Sequence, residues 1–576
     1  MLNKYYQQEL DNLRELASQF TKVHPALAPL LGGPSADPDV ERLLEGVAFL
    51  TGLLQRKLED DFPEIVHGLI DLTLPFYLRP IPSTCIAVFT PKPNLQESLT
   101  VPVGTSLASV PVEGTTCLFR TSQEVELHPL RLKSAESIQP MGQPAQIRLV
   151  LELTGPNLSQ WQPKRLGFYL GDSYTTASDL FLLLHRFVKR VTVKSGDGAS
   201  TWTPPPGALR FLGLDLANNL LQFPSQSFRG YRLIQEYFIL PQKFLFLELT
   251  GWEQWTGRGK SASFELSFEL LPAPLQVPKL RAESFQLFAT PVINLFDHDA
   301  DPITLDHRTD RFRIRPTTQQ TDSVQVYSVE SVAGFTQGTM LRREYSPLEM
   351  FSRHDGANAV YQVVHTRSPI TGAHEVALSI AYPPGQGEPV SETLSIRLTC
   401  SNGSLPERLQ LGDICRQTDT SPELATFRNI TPPTSPIEPP IGDNVQWRLL
   451  AHLALNFLSL ANIRNLREML QLYNLPGRDR ARTTANQKRL DGLLELTVAT
   501  GERLSRGTTV RGQTLSLTAR QDHFAGLGDL FLFGSVMDQF LGVYSAMNTF
   551  TQFQLTDSMS GESFKWPARI GARPLI

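Results

Sequence analysis

The stretch DPDVERLLEGVAFLTGLLQRKLEDDFPEIVHGLIDLTLPFYLRPIPS, beginning at Asp37, constrains the fold more than any other part of this chain. Asp37 can cap a helix that opens at Pro38, with Asp39 and Glu41 in a first turn where the helix dipole favours acids. Val40, Leu43, Leu44, Val47, Phe49, Leu50, Leu54 and Leu58 then recur mostly at three- and four-residue intervals, the pattern of an amphipathic helix with a broad apolar stripe. Such a stripe must be covered, either by the chain itself or by a partner. It contains no candidate nucleophile, metal cluster or phosphate loop, so the segment points to assembly rather than chemistry.

At 576 residues the chain is too long for one core, and about 100 to 200 residues per domain predicts several units. Lys plus Arg number 53 against 57 Asp plus Glu, a net charge of -4, so no general basic field exists to hold phosphate backbones and no nucleic acid is expected as a partner. Charged residues make up 19%, below the usual quarter, which leaves room for large protein interfaces. Cys85, Cys117, Cys400 and Cys415 form no close pair of the kind that makes zinc or redox centres, and all four are expected as reduced core thiols. The N-terminus has Lys4, Glu9 and Asp11 among its apolar residues, unlike a signal peptide. The longest apolar runs are broken by His185, Arg186, Arg448, His452 and Asn456, short of the roughly 20 apolar residues a bilayer requires, so no membrane insertion is expected.

The pattern predicts an α+β multidomain chain. Residues 1–80 form a helical region: besides the stripe above, Leu2, Tyr6, Leu10, Leu13, Ala17 and Phe20 alternate at four- and three-residue spacing, and a short third helix begins near Phe62 and ends before Pro75. Residues 81–280 read as a β-rich domain of short strands such as TCIAVFT, IRLVLELT and LGFYL, interrupted by helices near Asp179 to His185 and Arg229 to Phe238. Residues 281–430 read as a second β-rich domain, with strands at SVQVYSVESV, AVYQVVH, EVALSIAY and ETLSIRLTC. Five prolines in residues 431–443 predict an extended linker or wrapped connector. Residues 444–576 read as a C-terminal α+β domain. It has a helix through Trp447, Leu450, Ala454, Phe457 and Ala461, strands LELTVAT and TTVRGQTLSLTA, and a long helix from about Gly528 to Met547.

The candidate chemical motifs fail on spacing. Gly257-Arg258-Gly259-Lys260-Ser261 resembles the end of a phosphate loop, but the earlier glycine such a loop needs is Gln254, and a hairpin turn suits the surroundings better. Asp297, His298, Asp299 and Asp301, followed by Asp306 and His307, superficially suggest a calcium loop. Yet Pro302 and Arg308 stand where the glycine and the final acid belong, so a solvated turn is expected. No GxSxG occurs, and His374-Glu375 lacks the second histidine of the zinc-protease motif. His67 and His452 read as packing residues on apolar helix faces. An enzyme with a non-local site and a β-sandwich binding module remain as alternatives, since catalytic groups need not be adjacent in sequence.

Five blocks in this order carry a resemblance: YYQQELDNLRELASQF at Tyr5 to Phe20, the Asp37 stretch, EYFILPQKFLFLEL at Glu236 to Leu249, LFATPVINLF at Leu287 to Phe296, and WRLLAHLALNFLSL at Trp447 to Leu460. Together they resemble TssF, the baseplate wedge subunit of bacterial type VI secretion systems. That family's pattern places a basic residue before Glu236, where this chain has Gln235, so one surface contact is expected to differ. The resemblance implies a non-enzymatic cytoplasmic subunit without cofactor or metal, docked at the inner-membrane complex. It further implies that two copies pair with one TssG into a wedge that meets TssK, TssE, the VgrG hub and neighbouring wedges, with the N-terminal helices bundling with TssG. The expected partner-facing residues are Leu2, Tyr6, Leu10, Leu13, Phe20, Val40, Leu43, Val47 and Leu54. Phe533, Phe540 and Tyr544 join them, because the last long helix carries more apolar surface than one sheet face is expected to cover, leaving part of it for a second copy or neighbouring wedge.

Overall fold

The computed structural model describes residues 38–52, 74–139, 144–222, 229–305, 309–318, 323–336, 342–348, 359–368, 374–381, 391–441, 462–505, 508–544 and 549–570, with scattered positions between 6 and 20 and Ile70. The expected cap Asp37, the short helix near Phe62 and the Trp447 to Ala461 helix lie outside the described residues, as do His67 and His452. The chain divides into two compact units, Met1–Thr73 with Gly442–Leu450, and Leu74–Ile441 with Ala451–Ile576.

In the first unit residues 38–52 are helical, and so are the described positions between 6 and 20. Arg14 of the earlier segment reaches Glu41 of the later one at 2.7 Å. Leu10, Ala17, Ala48 and Ile70 are buried.

The second unit is built on sheets. Strand alternation is clearest in Gln146–Leu153 and Ser263–Leu270, which pair antiparallel and bury every second residue: Ile147, Leu149, Leu151 and Leu153 on one, Phe264, Leu266, Phe268 and Leu270 on the other. A six-stranded sheet runs in the order Ile414–Arg416, Ser106–Val112, Thr115–Thr121, Ala289–Ile293, Thr84–Pro91, Ala425–Asn429, so strands from either side of position 280 share it. An eight-stranded sheet between Phe296 and Ser401 surrounds a core that includes Leu305, Val332, Leu378, Leu394, Ile396 and Leu398. The proline-rich run is the wrapped connector. Thr431 Oγ1 accepts from Ile86 N at 2.8 Å, Thr434 Oγ1 accepts from Thr84 N at 3.0 Å, and Ile437 bridges Ile81.

The last sheet pairs Leu493–Ser505 with Thr508–Ala519, and Phe550–Asp557 lies parallel to the latter. Between those two parallel strands runs the helix Leu527–Tyr544, the crossover that a parallel pair requires. Two further helices, Ile463–Tyr473 and Arg480–Asp491, were not expected from the sequence. Their signals are present in the caps: Asn462 accepts from Arg464 N at 2.9 Å and Asp479 from Arg482 N at 3.0 Å.

Three thiols sit in the core as expected, and burial pushes Cys117 up to about 11 and Cys400 up to about 12, with Cys85 raised further. Cys415 departs from the expectation and is exposed, because its strand Ile414–Arg416 is a short sheet edge.

Candidate assembly surface

Helix 38–52 leaves much of its apolar stripe uncovered by this chain. Ala48 and Gly52 are buried and Leu44 is half-buried, so the side facing the protein is narrow and made largely of small residues. Leu43, Val47 and Leu50, four and three residues apart, share the opposite face, with Leu43 69% and Leu50 61% exposed. Phe49 is exposed beside them, and on the earlier segment Leu16 and Phe20 are exposed as well. Large apolar side chains on one helical face are thus held in solvent in this chain.

The expected partner-facing residues therefore divide. Phe20, Leu43 and Val47 are exposed; Tyr6, Leu13 and Val40 are half-buried; Leu10 is buried inside the chain. Leu2 and Leu54 lie outside the described residues. Leu16, Phe49 and Leu50 complete the exposed set, and the spacing of Leu50 from Leu43 and Val47 was the signal for it.

Phe533 and Phe540 are corrections, since both are fully buried in this chain. The helix Leu527–Tyr544 is covered on one side by Phe550–Asp557 and on others by the helices Tyr174–Arg186 and Arg229–Ile239. Phe533 packs against Tyr237 and Phe524, Phe540 against Tyr231, and Phe531 stacks on Trp566 at 5.3 Å. The apolar surface left over by one sheet is taken up by helices about three hundred residues earlier in the chain. Tyr544 ends the helix, and its side chain lies outside the described residues.

Two clusters of charged and polar side chains are buried inside the second unit. Asp529 accepts from Tyr174 Oη at 2.6 Å, Tyr237 Oη at 3.0 Å, Arg489 Nη2 at 2.9 Å and Ala525 N at 3.0 Å. Burial first, and then the Asp529 charge, raise both tyrosines well above their ordinary range. Burial alone would lower Arg489, but Tyr237, Tyr174 and Asp529 outweigh it and keep the guanidinium charged. Close by in sequence, Glu236 accepts from Lys243 Nζ at 2.6 Å and from the backbone of Leu220 and Leu221 at 2.9 and 3.0 Å. Burial lowers Lys243 and Glu236 opposes that shift. These groups use their hydrogen-bonding capacity on one another with no solvent access, which makes them staples between helices and not reactive groups. Gln235, expected on the surface, is buried next to Glu236.

The remaining polar motifs have structural explanations. Arg258 is buried and donates to the carbonyls of Trp255 at 2.9 Å, Trp252 at 2.5 Å and Trp161, while Gly257 and Gly259 adopt φ of 66° and 78°. The glycines serve a pinned turn, the conformation that L-residues disfavour. Asp297 and Asp299 are exposed on a strand whose intervening His298 meets Thr317 O at 2.8 Å, and strand alternation sends the histidine to the other face. Asp306 and His307 lie outside the described residues. No described helix is long and apolar enough to cross a membrane.

Buried charge clusters that staple the second unit and an exposed apolar helix face in the first stand together with a clear likeness to known proteins. Residues 1–573 match the family described as Type VI secretion system, TssF, and the chain belongs to that family. It is 30% identical, over 633 aligned positions, to the type VI secretion system component TssF1 of Pseudomonas aeruginosa, covering 100% of this chain and 99% of the relative. In structure it is similar to a chain of a TssK-TssF-TssG baseplate subcomplex determined by cryo-electron microscopy, with TM-score 0.77, 29% identity and coverage of 92% and 99%. It also resembles a chain of a type VI secretion baseplate complex, with TM-score 0.65, 26% identity and full coverage of both chains.

Proposed function

We propose that this chain is a non-enzymatic structural subunit of the type VI secretion baseplate, assembling with TssG and TssK. Two copies join one TssG to form a wedge, which meets TssE, the VgrG hub and neighbouring wedges in the cytoplasm, docked at the inner-membrane complex. The observation that carries this reading is the exposed Leu43, Val47 and Leu50 face on a chain of the TssF family. Packed against a TssG helix, that face would lose the water contact it makes in the free chain, and the release of apolar surface drives such docking. The chain serves as scaffold: it holds the sheath and tube in register for contraction-driven effector delivery, and contraction itself supplies the work. Co-expression with TssG and TssK, followed by size-exclusion chromatography and mass measurement, should return one stable complex with two copies of this chain per TssG. A chain that elutes alone in the presence of both partners would reject the reading.

A further inference from the structure

The strand Leu493–Ser505 is the outermost of its five-stranded sheet, and among the described residues no strand pairs with its free edge. It is thirteen residues long, contains no proline, and is exposed over most of its length. Proteins normally shorten, cover or interrupt such an edge, because its unpaired amides and carbonyls template further pairing. Here the one irregularity, between Leu493 and Glu495, sits at its base. Two large apolar side chains stand out along it, Leu494 and Leu504, the latter 79% exposed.

We infer that this edge pairs antiparallel with the same edge of a second copy of this chain, joining two sheets across a twofold axis at Ala499. The register follows from the sequence. An axis must pass through a residue so that edge-facing backbone groups on the two copies meet. With the axis at Ala499, Glu495 falls opposite Arg503 of the second copy, and Leu504 falls beside the bulge at Leu494, each contact occurring twice. In this register Leu496 also falls opposite Glu502, but moving the axis one residue back sets Glu495 against Gly501 and moving it one residue forward sets Arg503 against Thr497, so only the axis at Ala499 sets the two opposite charges across from each other. Glu502 is already paired with Arg511 at 2.9 Å, whereas Glu495 has no ion-pair partner among the described residues. Arg503 lies over the Phe550 ring at 5.0 Å and donates to Gln552, which orients the guanidinium and leaves donors for a carboxylate. Opposite charges and apolar pairs set directly across a strand pair stabilise it, and like charges there oppose it.

This inference deepens the proposed contact between two copies, and it is tested without the other wedge subunits so that the two readings fail separately. The purified full chain should show a concentration-dependent monomer–dimer equilibrium in sedimentation. Leu504→Asp and Glu495→Arg should each weaken the dimer by about tenfold or more at an unchanged melting temperature, because both side chains are exposed. The charge swap Glu495→Arg with Arg503→Glu should recover most of the loss, with Arg503→Glu alone as control for its Gln552 contact. A chain that stays monomeric at every concentration overturns the inference, as does a dimer indifferent to Leu504→Asp, or a swap no tighter than Glu495→Arg alone. Failure to bind TssG with the dimer intact rejects the wedge reading and leaves this contact standing.

Discussion

Helix 38–52 and helix Leu527–Tyr544 are both rich in large apolar residues, yet one presents Leu43 and Leu50 to solvent and the other buries Phe533 and Phe540 completely. The difference lies in what each helix is attached to. The later helix is the crossover between two parallel strands and must lie on their sheet, and the helices Tyr174–Arg186 and Arg229–Ile239 close over its remaining sides. The earlier helix turns a narrow strip of Ala48 and Gly52 inward, which allows close approach but covers little of its own apolar surface. Apolar patterning thus states that cover is required and is silent on who supplies it.

The buried helix gives the sharpest test of this contrast. Phe540→Ala should cost roughly 3–5 kcal/mol, the range for deleting a buried aromatic ring, and lower the melting temperature of the second unit. A melting temperature equal to wild type would return Phe540 to a surface role and erase the contrast. Glu236→Ala should be of similar size, roughly 3–5 kcal/mol, because it leaves Lys243 buried without its partner and strips the Leu220 and Leu221 amides of their acceptor. Chemical denaturation of the variant against wild type decides it, and a change below about 1 kcal/mol would mean the pair is solvated in solution.

The strands were the most legible part of the molecule, because alternation such as that of IRLVLEL and FELSFEL states both the element and its buried face. The helices Tyr174–Arg186 and Arg229–Ile239 were legible too, but not their role as the cover of Leu527–Tyr544, since that contact joins segments about three hundred residues apart and leaves no local periodicity. The same distance hid the Asp529 cluster, whose members Tyr174, Tyr237 and Arg489 each look ordinary in their own segments. Helix Ile463–Tyr473 carries its own apolar spacing in Leu466, Met469, Leu470 and Tyr473, whereas Arg480–Asp491 hides its helical character. The second, RARTTANQKRLD, is polar nearly all round, and only its caps betray it. At the candidate surface the stripe itself was readable, and which of its faces points outward was not.

A smaller effect is expected from acid. His185 sits among the rings of Phe181, Phe211 and Phe531, and burial holds it down at about 4 against an ordinary 6.5. The unfolded chain therefore takes up this proton first. The neutral imidazole's contribution is complete above pH 6.5 and is lost as pH falls towards about 4. The loss should amount to roughly 3 kcal/mol over that window. His185→Leu should flatten the dependence of unfolding free energy on pH in this range, and an unchanged slope would show that the histidine is hydrated in the folded state.

The smallest change in stability belongs to the exposed helix, and it should accompany the largest change in assembly. Leu43→Asp with Leu50→Asp replaces two side chains that contribute little to the core, so the free chain should unfold within roughly 0.5 kcal/mol of wild type, as substitutions at exposed positions do. In a docked helix the same two carboxylates would be buried without partners, each costing several kcal/mol, enough to abolish capture of TssG in a pull-down. Leu10→Asp is the matched control. Leu10 is buried within its own unit, so its replacement should destabilise the free chain before any partner is added. Capture retained by the Leu43 and Leu50 double variant would mean that the exposed face is not where the partner sits. A loss of stability in that variant as large as that of Leu10→Asp would mean that the face is already covered within the chain, and the distinction between the two helices would be gone.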